Sequence, residues 1–537
     1  GGNFRFAAKV KDVDFRYAAA WPTAENVSGE LVFQNTGFTA KIETGQFFGA
    51  KVKATTIAVD DFAARPYLLS INGEADARGE DVARFMRESP LINGVGAFTK
   101  SVVVEGPGLL ELQMKLPIGA PDVAKTLTRI SGKYTLRRGQ AKPVVGPLVT
   151  ALTGTVVFSE SGVKSNGITG IAYGNPLTLS IANAADGGVV TEFAGRGDVS
   201  QMGDVLPFQM PQQVKGLTDF SGRVTTREGG AEIAIDSSLL GVTSTLPAPL
   251  AKRGDELRKL HLSIANTGQV SEKIRLTVAG ALTDAAPTTT PTLTPMPATE
   301  APASRIDGRF QRRFDSNGIA LGLRGGVISV GAVAGDAPLP EGLWFSGTMP
   351  LLDFDLWRQA VENFYPPVVA TRVVGTPRED GRSGIEVAGF DFKLGGLVAY
   401  GRPFDAMTLK GRHSGQDWRL TVDSDDAVGD ISWRAGAFKD AGAVRARLQK
   451  LVVADEVPPP KGSIAVPVQS DAGRVADFPA LDIIAEKFTY KDRELGKLEL
   501  RAMPIGDNWR VDQLSISIGH ARMEMTGLWQ RYGDPQR

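Results

Sequence analysis

The sequence predicts an all-β protein, elongated and repetitive, built from antiparallel strands with a few short capping helices. Three observations lead there: apolar and polar residues alternate with period two in run after run, a glycine-framed block occurs twice, and turn residues separate the runs at short intervals. Strict alternation marks a strand with one buried and one wet face. Closely spaced turns favour antiparallel meanders over parallel strands joined by helices.

The alternation is clearest at 110–116, where Glu111, Gln113 and Lys115 separate Leu110, Leu112, Met114 and Leu116. It recurs at Leu177, Leu179 and Ile181, at Ile233 and Ile235, at Leu262 and Ile264, and at Ile274, Leu276 and Val278. Further on it continues at Ile385 and Val387, Leu420 and Val422, Leu498 and Leu500, Ile516 and Ile518, and Met523 and Met525. Glu386, Glu499, Arg522 and Glu524 occupy intervening positions, so the predicted sheet has one apolar and one charged face.

The repeat aligns residues 29–58 with 154–183 without a gap. Gly29, Val32, Phe33, Gly37, Thr44, Gly45 and Gly49 fall on Gly154, Val157, Phe158, Gly162, Thr169, Gly170 and Gly174. Glycines at fixed intervals between apolar runs read as turns and bulges. A β unit copied within one chain completes its core against its neighbours. A later echo pairs Gly415-Gln-Asp-Trp418 with Gly506-Asp-Asn-Trp509, each a turn ahead of a Trp-led strand.

Two helices are predicted. Residues 81–89 set Val82, Phe85 and Met86 on one face and stop at Pro90; residues 353–365 set Leu356, Ala360, Val361 and Phe364 on one face, with Trp357 beside it, and stop at Pro366-Pro367. Both are expected to cap the sheet or fill part of a groove, with a lid or membrane-touching element as the alternative. The Pro/Thr-rich stretch 286–303 reads as an excursion or linker between β repeats at 1–285 and 304–537, and Pro458-Pro459-Pro460 marks a second loop.

Composition narrows the function. Hydrophobic residues make up 42% and charged residues 22% of 537, a folded chain and not a disordered one. Sixty basic residues balance sixty acidic ones, so nothing points to nucleic acid as a partner. Cysteine is absent, which removes disulfide and thiolate chemistry. No apolar run approaches the length of a membrane span. The chain opens at Gly1-Gly2-Asn3, directly in a strand-like segment, and is expected to be a piece of a longer protein.

Catalytic and metal motifs are lacking. His261, His413 and His520 have no second ligand at metal-like spacing, and no HExxH, GxSxG or P-loop occurs. Gly94-Val-Gly96 and Gly106-Pro-Gly108 lack a third glycine and read as turns. Asp423, Asp425, Asp426 and Asp430 surround Gly429, but Arg434 stands where a calcium loop needs an acid. Arg196-Gly197-Asp198 reads as a coincidence in a Gly-rich turn, and the glycosylation sequon Asn26-Val27-Ser28 matters only in a eukaryotic secretory context. No metal, cofactor or catalytic residue is expected.

Short motifs resemble the AsmA-like, TamB-type group of Gram-negative envelope proteins. They include Ala20-Trp21-Pro22, Gly29-Glu-Leu-Val-Phe33, Phe85-Met-Arg-Glu-Ser-Pro90-Leu91 and Leu112-Gln-Met-Lys-Leu-Pro117. Leu152-Thr-Gly-Thr-Val-Val-Phe158, Gly174-Asn-Pro-Leu177, and Ser237-Ser-Leu-Leu-Gly241 with Leu246-Pro-Ala-Pro-Leu250 continue the likeness. Leu351-Leu-Asp-Phe-Asp-Leu-Trp357, Phe478-Pro-Ala-Leu-Asp482 and Leu495-Gly-Lys-Leu498 carry it nearly to the end.

The resemblance implies a bridge-like lipid-transfer segment: a repetitive β-groove in the periplasm, anchored in the inner membrane through a segment absent from this chain, passing phospholipid toward outer-membrane components. The long sheet would curl, with its apolar face concave. The candidate groove residues are then the alternating set, with Leu31, Phe33, Val102 and Val104 added to Leu110, Leu112, Met114, Leu116, Leu177, Leu179, Ile181, Ile233, Ile235, Ile274, Leu276, Val278, Leu420, Val422, Leu498, Leu500, Ile516, Ile518, Met523 and Met525. Assistance to outer-membrane protein assembly, a structural or adhesin-like stalk with a dry core, and a β-helical polysaccharide enzyme are the competing readings.

Overall fold

In a computed structural model of the chain the described residues are 3–16, 21–89, 102–118, 128–143, 146–204, 210–227, 230–266, 271–280, 305–315, 320–364, 387–399, 401–415, 417–434, 442–453, 479–505 and 508–529. Strand accounts for 73% of them, about three times the usual share. The all-β expectation holds. The stretches 94–96, 286–303, Ile385 and Pro458-Pro459-Pro460 lie outside the described residues.

In chain order the strands begin with β1 (Arg5–Phe15), β2 (Ala24–Gln34), β3 (Gly37–Phe47), β4 (Ala50–Val59) and β5 (Tyr67–Arg78). Then come helix α1 (Gly79–Arg87), β6 (Val102–Glu105), β7 (Pro107–Ile118), β8 (Arg129–Pro143), β9 (Val149–Ser159), β10 (Gly162–Ala172), β11 (Asn175–Asn183) and β12 (Val189–Asp198). A 3-10 turn over Val199–Asp204 leads to β13 (Val214–Lys215), β14 (Leu217–Arg227), β15 (Gly230–Ser237), β16 (Thr243–Ser244), β17 (Arg258–Asn266), β18 (Ser271–Gly280), β19 (Ile306–Phe314) and β20 (Ala320–Val330). Next are β21 (Gly342–Met349), β22 (Leu352–Asp353), helix α2 (Phe354–Phe364), β23 (Val387–Leu394), β24 (Leu397–Ala399) and β25 (Arg402–Phe404). The last are β26 (Met407–Ser414), β27 (Asp417–Ser424), β28 (Ala427–Arg434), β29 (Ala443–Val453), β30 (Ala480–Tyr490), β31 (Arg493–Ile505), β32 (Asn508–Ile518) and β33 (Ala521–Trp529).

The chain divides into two compact units. One comprises Gly1–Met210, Lys215–Val242 and Gly254–Glu272, the other Pro211–Val214, Thr243–Arg253 and Lys273–Arg537. In the first, antiparallel pairing runs β1–β2–β3–β4–β5–β7–β8–β9–β10–β11–β12–β14–β15–β17, with β6 also on β8. At about 4.8 Å per strand that succession is on the order of 60 Å wide.

The second unit runs β19–β20–β21–β23–β26–β27–β28–β29–β30–β31–β32–β33. Here the expectation of antiparallel meanders needs a correction: β20–β21, β21–β23 and β29–β30 are parallel. Parallel neighbours need a long crossover. Residues 331–341 supply it between β20 and β21, and the segment carrying β22 and α2 supplies it between β21 and β23.

The repeat is visible in three dimensions. Asn26 and Ala151, 125 residues apart, sit in left-handed backbone at φ 52° and 51°; Phe48 and Tyr173, also 125 apart, do so at 53° and 50°. Phe48-Gly49 joins β3 to β4 as Tyr173-Gly174 joins β10 to β11. Gly29 and Gly154 lie against the backbone of the next strand, at Lys41–Ile42 and Gly167–Ile168, where the register shifts. A side chain at either would meet main-chain atoms, and only glycine permits so close an approach. The later echo is equally plain, Trp418 and Trp509 each standing second in β27 and β32.

The helices differ in role. On α1, Val82, Phe85 and Met86 are buried as expected; the Phe85 ring centroid lies 5.8 Å from Trp21 and 5.4 Å from Phe47. On α2, Asp353 Oδ1 accepts the Leu356 amide at 2.9 Å, an N-cap. Leu356, expected on the buried face, is 50% exposed. Trp357 sets the helix instead, its Nε1 donating to the Ala248 carbonyl at 3.0 Å, in the Leu246-Pro-Ala-Pro-Leu250 stretch.

Candidate functional site

Directly paired residues of neighbouring strands put their side chains on the same face, so the register traces each face across the sheet. In the first unit one rank runs Leu31–Ala40–Ile57–Ile71–Met114–Ile130. A second runs Leu136–Gly154–Ile168–Leu179–Phe193–Gly222–Ile235–Leu262. In the second unit the rank is Ile328–Phe345–Phe390–Gly411–Leu420–Ile431–Ala446–Ile483–Leu500–Leu514–Met525. Every member is apolar or glycine.

Glycines on these faces have ring neighbours. A side chain at Gly132 would strike Phe158, one at Gly222 would strike Phe193, and one at Gly411 would strike Phe390. Each ring therefore lies across a neighbour that has no side chain of its own.

The opposite face is charged and paired across the same strands. Lys133 meets Glu111 at 2.7 Å, Arg196 meets Asp219 at 2.8 Å, and His261 Nδ1 lies 2.7 Å from Asp236. In the second unit Lys410 pairs with Asp391 at 3.2 Å, Arg434 with Asp417 and Arg447 with Asp482, both at 2.7 Å. The hydrogen bond from Arg447 holds the Asp482 carboxyl below the usual carboxylate range, helped by the charge of Arg445. A depressed folded-state value stabilises the fold above the unfolded value near 3.8 and loses that contribution as pH falls through the folded one. Asp482→Asn is therefore expected to flatten the dependence of the urea midpoint on pH between about 5 and 2.5 relative to the parent. An unchanged slope rejects the pair as a contributor.

Burial on the apolar face is uneven. Leu110, Met114 and Leu116 are buried, as are Leu177, Ile181, Ile274, Val422 and Leu498. Leu31, Phe33, Val102, Val104, Leu112, Leu179, Ile233, Ile235, Leu276, Val278, Leu420, Leu500 and Ile516 are only half-buried. Ile518, Met523 and Met525 are exposed, the last at 51%. Apart from Ile274, the buried members join two clusters, one centred on β5, β7, β8 and β9 and one on β23, β26, β29 and β31. In neither unit do the described residues close the sheet: β1 pairs only with β2, and β33 only with β32.

Helix α1 stands at one rim of the first unit, beside the end of β1, the start of β2 and the β3–β4 turn. Tyr134 anchors its start: the buried hydroxyl reaches the carbonyls of Ala77 at 3.2 Å and Gly106 at 3.3 Å, and burial pushes its ionisation well above the usual range.

Several participants escape local alternation. Phe193 and Phe220 stand next to Gly195 and Gly222 across a strand pair, and Phe390, Phe392 and Leu409 share the face with Gly411. Glycine between apolar residues breaks the apolar count that reveals a strand face. The signal that could have found them is a glycine placed opposite a ring. Among the described residues no group of His or acidic side chains is placed to hold a metal ion. Asp425 and Asp426 instead form the β27–β28 turn, where Ser424 Oγ accepts the amides of Asp426 at 3.2 Å and Ala427 at 2.8 Å.

Against known proteins, the profile of the family described as YhdP protein matches residues 1–537. The intermembrane phospholipid transporter YhdP of Escherichia coli (strain K12) is 25% identical over 265 residues, covering 48% of this chain and 20% of that protein. No solved structure matches the chain. Among the described residues no helix is long and apolar enough to cross a membrane.

Proposed function

The chain belongs to the YhdP protein family, and from that premise we propose that it is a segment of a lipid-transfer bridge. Its apolar sheet face carries the acyl chains of phospholipids between the inner and outer membranes of a Gram-negative envelope, with head groups at the wet rim. The segment lies in the periplasm, is held to the inner membrane by the protein of which it is part, and performs no chemistry on its cargo.

One observation carries this reading: apolar cross-strand ranks run the width of each unit and stay partly uncovered, while the reverse face is rich in ion pairs. A sheet with one apolar face must cover it with a second layer, by closure, or with a ligand. Among the described residues the main sheet does not close, and the further sheets are two small ones, β13–β16 and β22–β24–β25. The latter packs Leu352, Leu397 and Phe404 on the second unit's core, but neither is large enough to cover a face this many strands wide, which leaves a ligand. The transporter named among the relatives supports phospholipid as that ligand.

The test is mass spectrometry of organic extracts from the purified chain. Phospholipid at one or more molecules per protein is expected. Folded protein free of extractable lipid, with a cooperative melt, overturns the reading and leaves a dry-core stalk.

A further inference from the structure

At the α1 rim of the first unit an open cleft of about 540 Å³ is lined by Arg16, Trp21, Pro22, Glu25, Phe48 and Glu88, with Thr23 between. Its volume is in the range of small-molecule sites. We propose that this cleft is a head-group subsite for a zwitterionic, amine-bearing phospholipid, an inference that rests on the lipid-carrying reading above.

Trp21 is 6% exposed and belongs to the same apolar cluster as Phe85, Leu110 and Met114. The cleft therefore sits where that cluster reaches the rim, so a lipid with its acyl chains on the sheet face would present its polar end here. Such a junction is where an amphiphile changes from apolar to wet surroundings.

The charges then select the polar end. Arg16 offers a guanidinium suited to a phosphate diester. Glu25 and Glu88 offer carboxylates for a primary ammonium, and the Phe48 ring adds an aromatic wall. Glu88 is shared with Arg84, whose Nε lies 2.8 Å away and whose guanidinium stacks 4.1 Å over Phe48. Glu25 has no ion pair among the described residues, so it is the carboxylate open to a ligand amine. One cation and one open anion on the walls of a single cleft match a phosphate and an ammonium in one molecule. An anionic glycerol head group would set its phosphate on Arg16 but would leave Glu25 facing hydroxyls, with no cation to receive.

The experiment measures total bound phospholipid and the ratio of ethanolamine to glycerol head groups. The purified chain and the variants Glu25→Lys, Arg16→Glu and Gln113→Lys are equilibrated with vesicles of equal phosphatidylethanolamine and phosphatidylglycerol. The parent is expected to take ethanolamine lipid in excess. Glu25→Lys should lower that ratio about fivefold while total lipid stays within about twofold. Arg16→Glu should reduce both lipids, and Gln113→Lys, on the charged face of β7, should change neither. Both rim residues are exposed, and matching melting curves verify their folds. Lipid loading at an unchanged ratio in Glu25→Lys and Arg16→Glu overturns the subsite and leaves lipid carriage intact. A parent that takes up no lipid overturns both.

Discussion

Leu112→Asp is expected to strip lipid from the protein and leave it folded, whereas Met114→Arg is expected to unfold it. Both side chains sit on the apolar side of β7, two residues apart, but their surroundings differ. Met114 is 3% exposed and lies between Ile71 and Ile130 on the flanking strands. An unpaired charge there loses its hydration with nothing in return, several kcal/mol and a large part of a domain's stability. Leu112 is only half-buried and stands between Gly73 and Gly132, whose places are taken by the small Thr55 side chain and the flat Phe158 ring instead of side chains of their own. An aspartate at 112 keeps water while the face is empty. Once acyl chains cover it, the penalty approaches the roughly 2.5–3.5 kcal/mol of a charge in a hydrocarbon layer, about a hundredfold in lipid affinity. Gln113→Asp, on the charged face, should change neither property. The measurement is thermal melting beside bound-lipid quantification; lipid loss only in variants that also melt early would reject an open face.

Gly29→Ala and Gly154→Ala are each expected to lower stability by about 2–3 kcal/mol, and Gly167→Ala by less than about 0.5 kcal/mol. The first two occupy matching positions of the repeat. A methyl group at Gly29 would overlap the Lys41 carbonyl oxygen, and one at Gly154 would lie 2.8 Å from both the Gly167 oxygen and the Ile168 Cα. These are main-chain atoms of a paired strand, so relief requires opening the sheet. At Gly167, whose carbonyl oxygen takes part in that approach, an added methyl group would itself have nothing within 4 Å, and alanine there also restricts the unfolded chain. Urea midpoints for the three variants check the ordering. Equal losses at all three would mean that strand propensity, and not the close approach, decides these positions.

The sequence carries the strand pattern well and the connections poorly. Leu110 to Leu116 alternates cleanly because β7 is regular and paired on both sides. Across β9 and β10 the register slips between Lys164 and Ile168, so Val163 and Ile168, five residues apart, share one face. Each extra residue in a bulge reverses the alternation locally. The parallel pairs were illegible for a different reason: a crossover such as 331–341 has neither helical periodicity nor a tight turn to announce it. Leu356 misled because the anchor of α2 is Trp357 on Ala248, 109 residues away, which no local pattern encodes. Trp21, Phe48 and Arg16 converge at a rim from three segments, and only the fold brings them together.

The rings laid over glycines bear on friction. Phe193 over Gly222 and Phe390 over Gly411, both only half-buried, each lie down into the space a glycine partner leaves empty. The floor is thereby levelled without losing apolar area. A chain of methylenes crossing it meets neither a post to climb nor a pit to settle in, and the dispersion attraction given up behind it is regained ahead. The activation free energy for a step from one strand to the next is then small compared with the free energy of leaving the face altogether. On the proposed function, such a surface would hold an acyl chain firmly in one dimension and loosely in the other, which is the physical definition of a track.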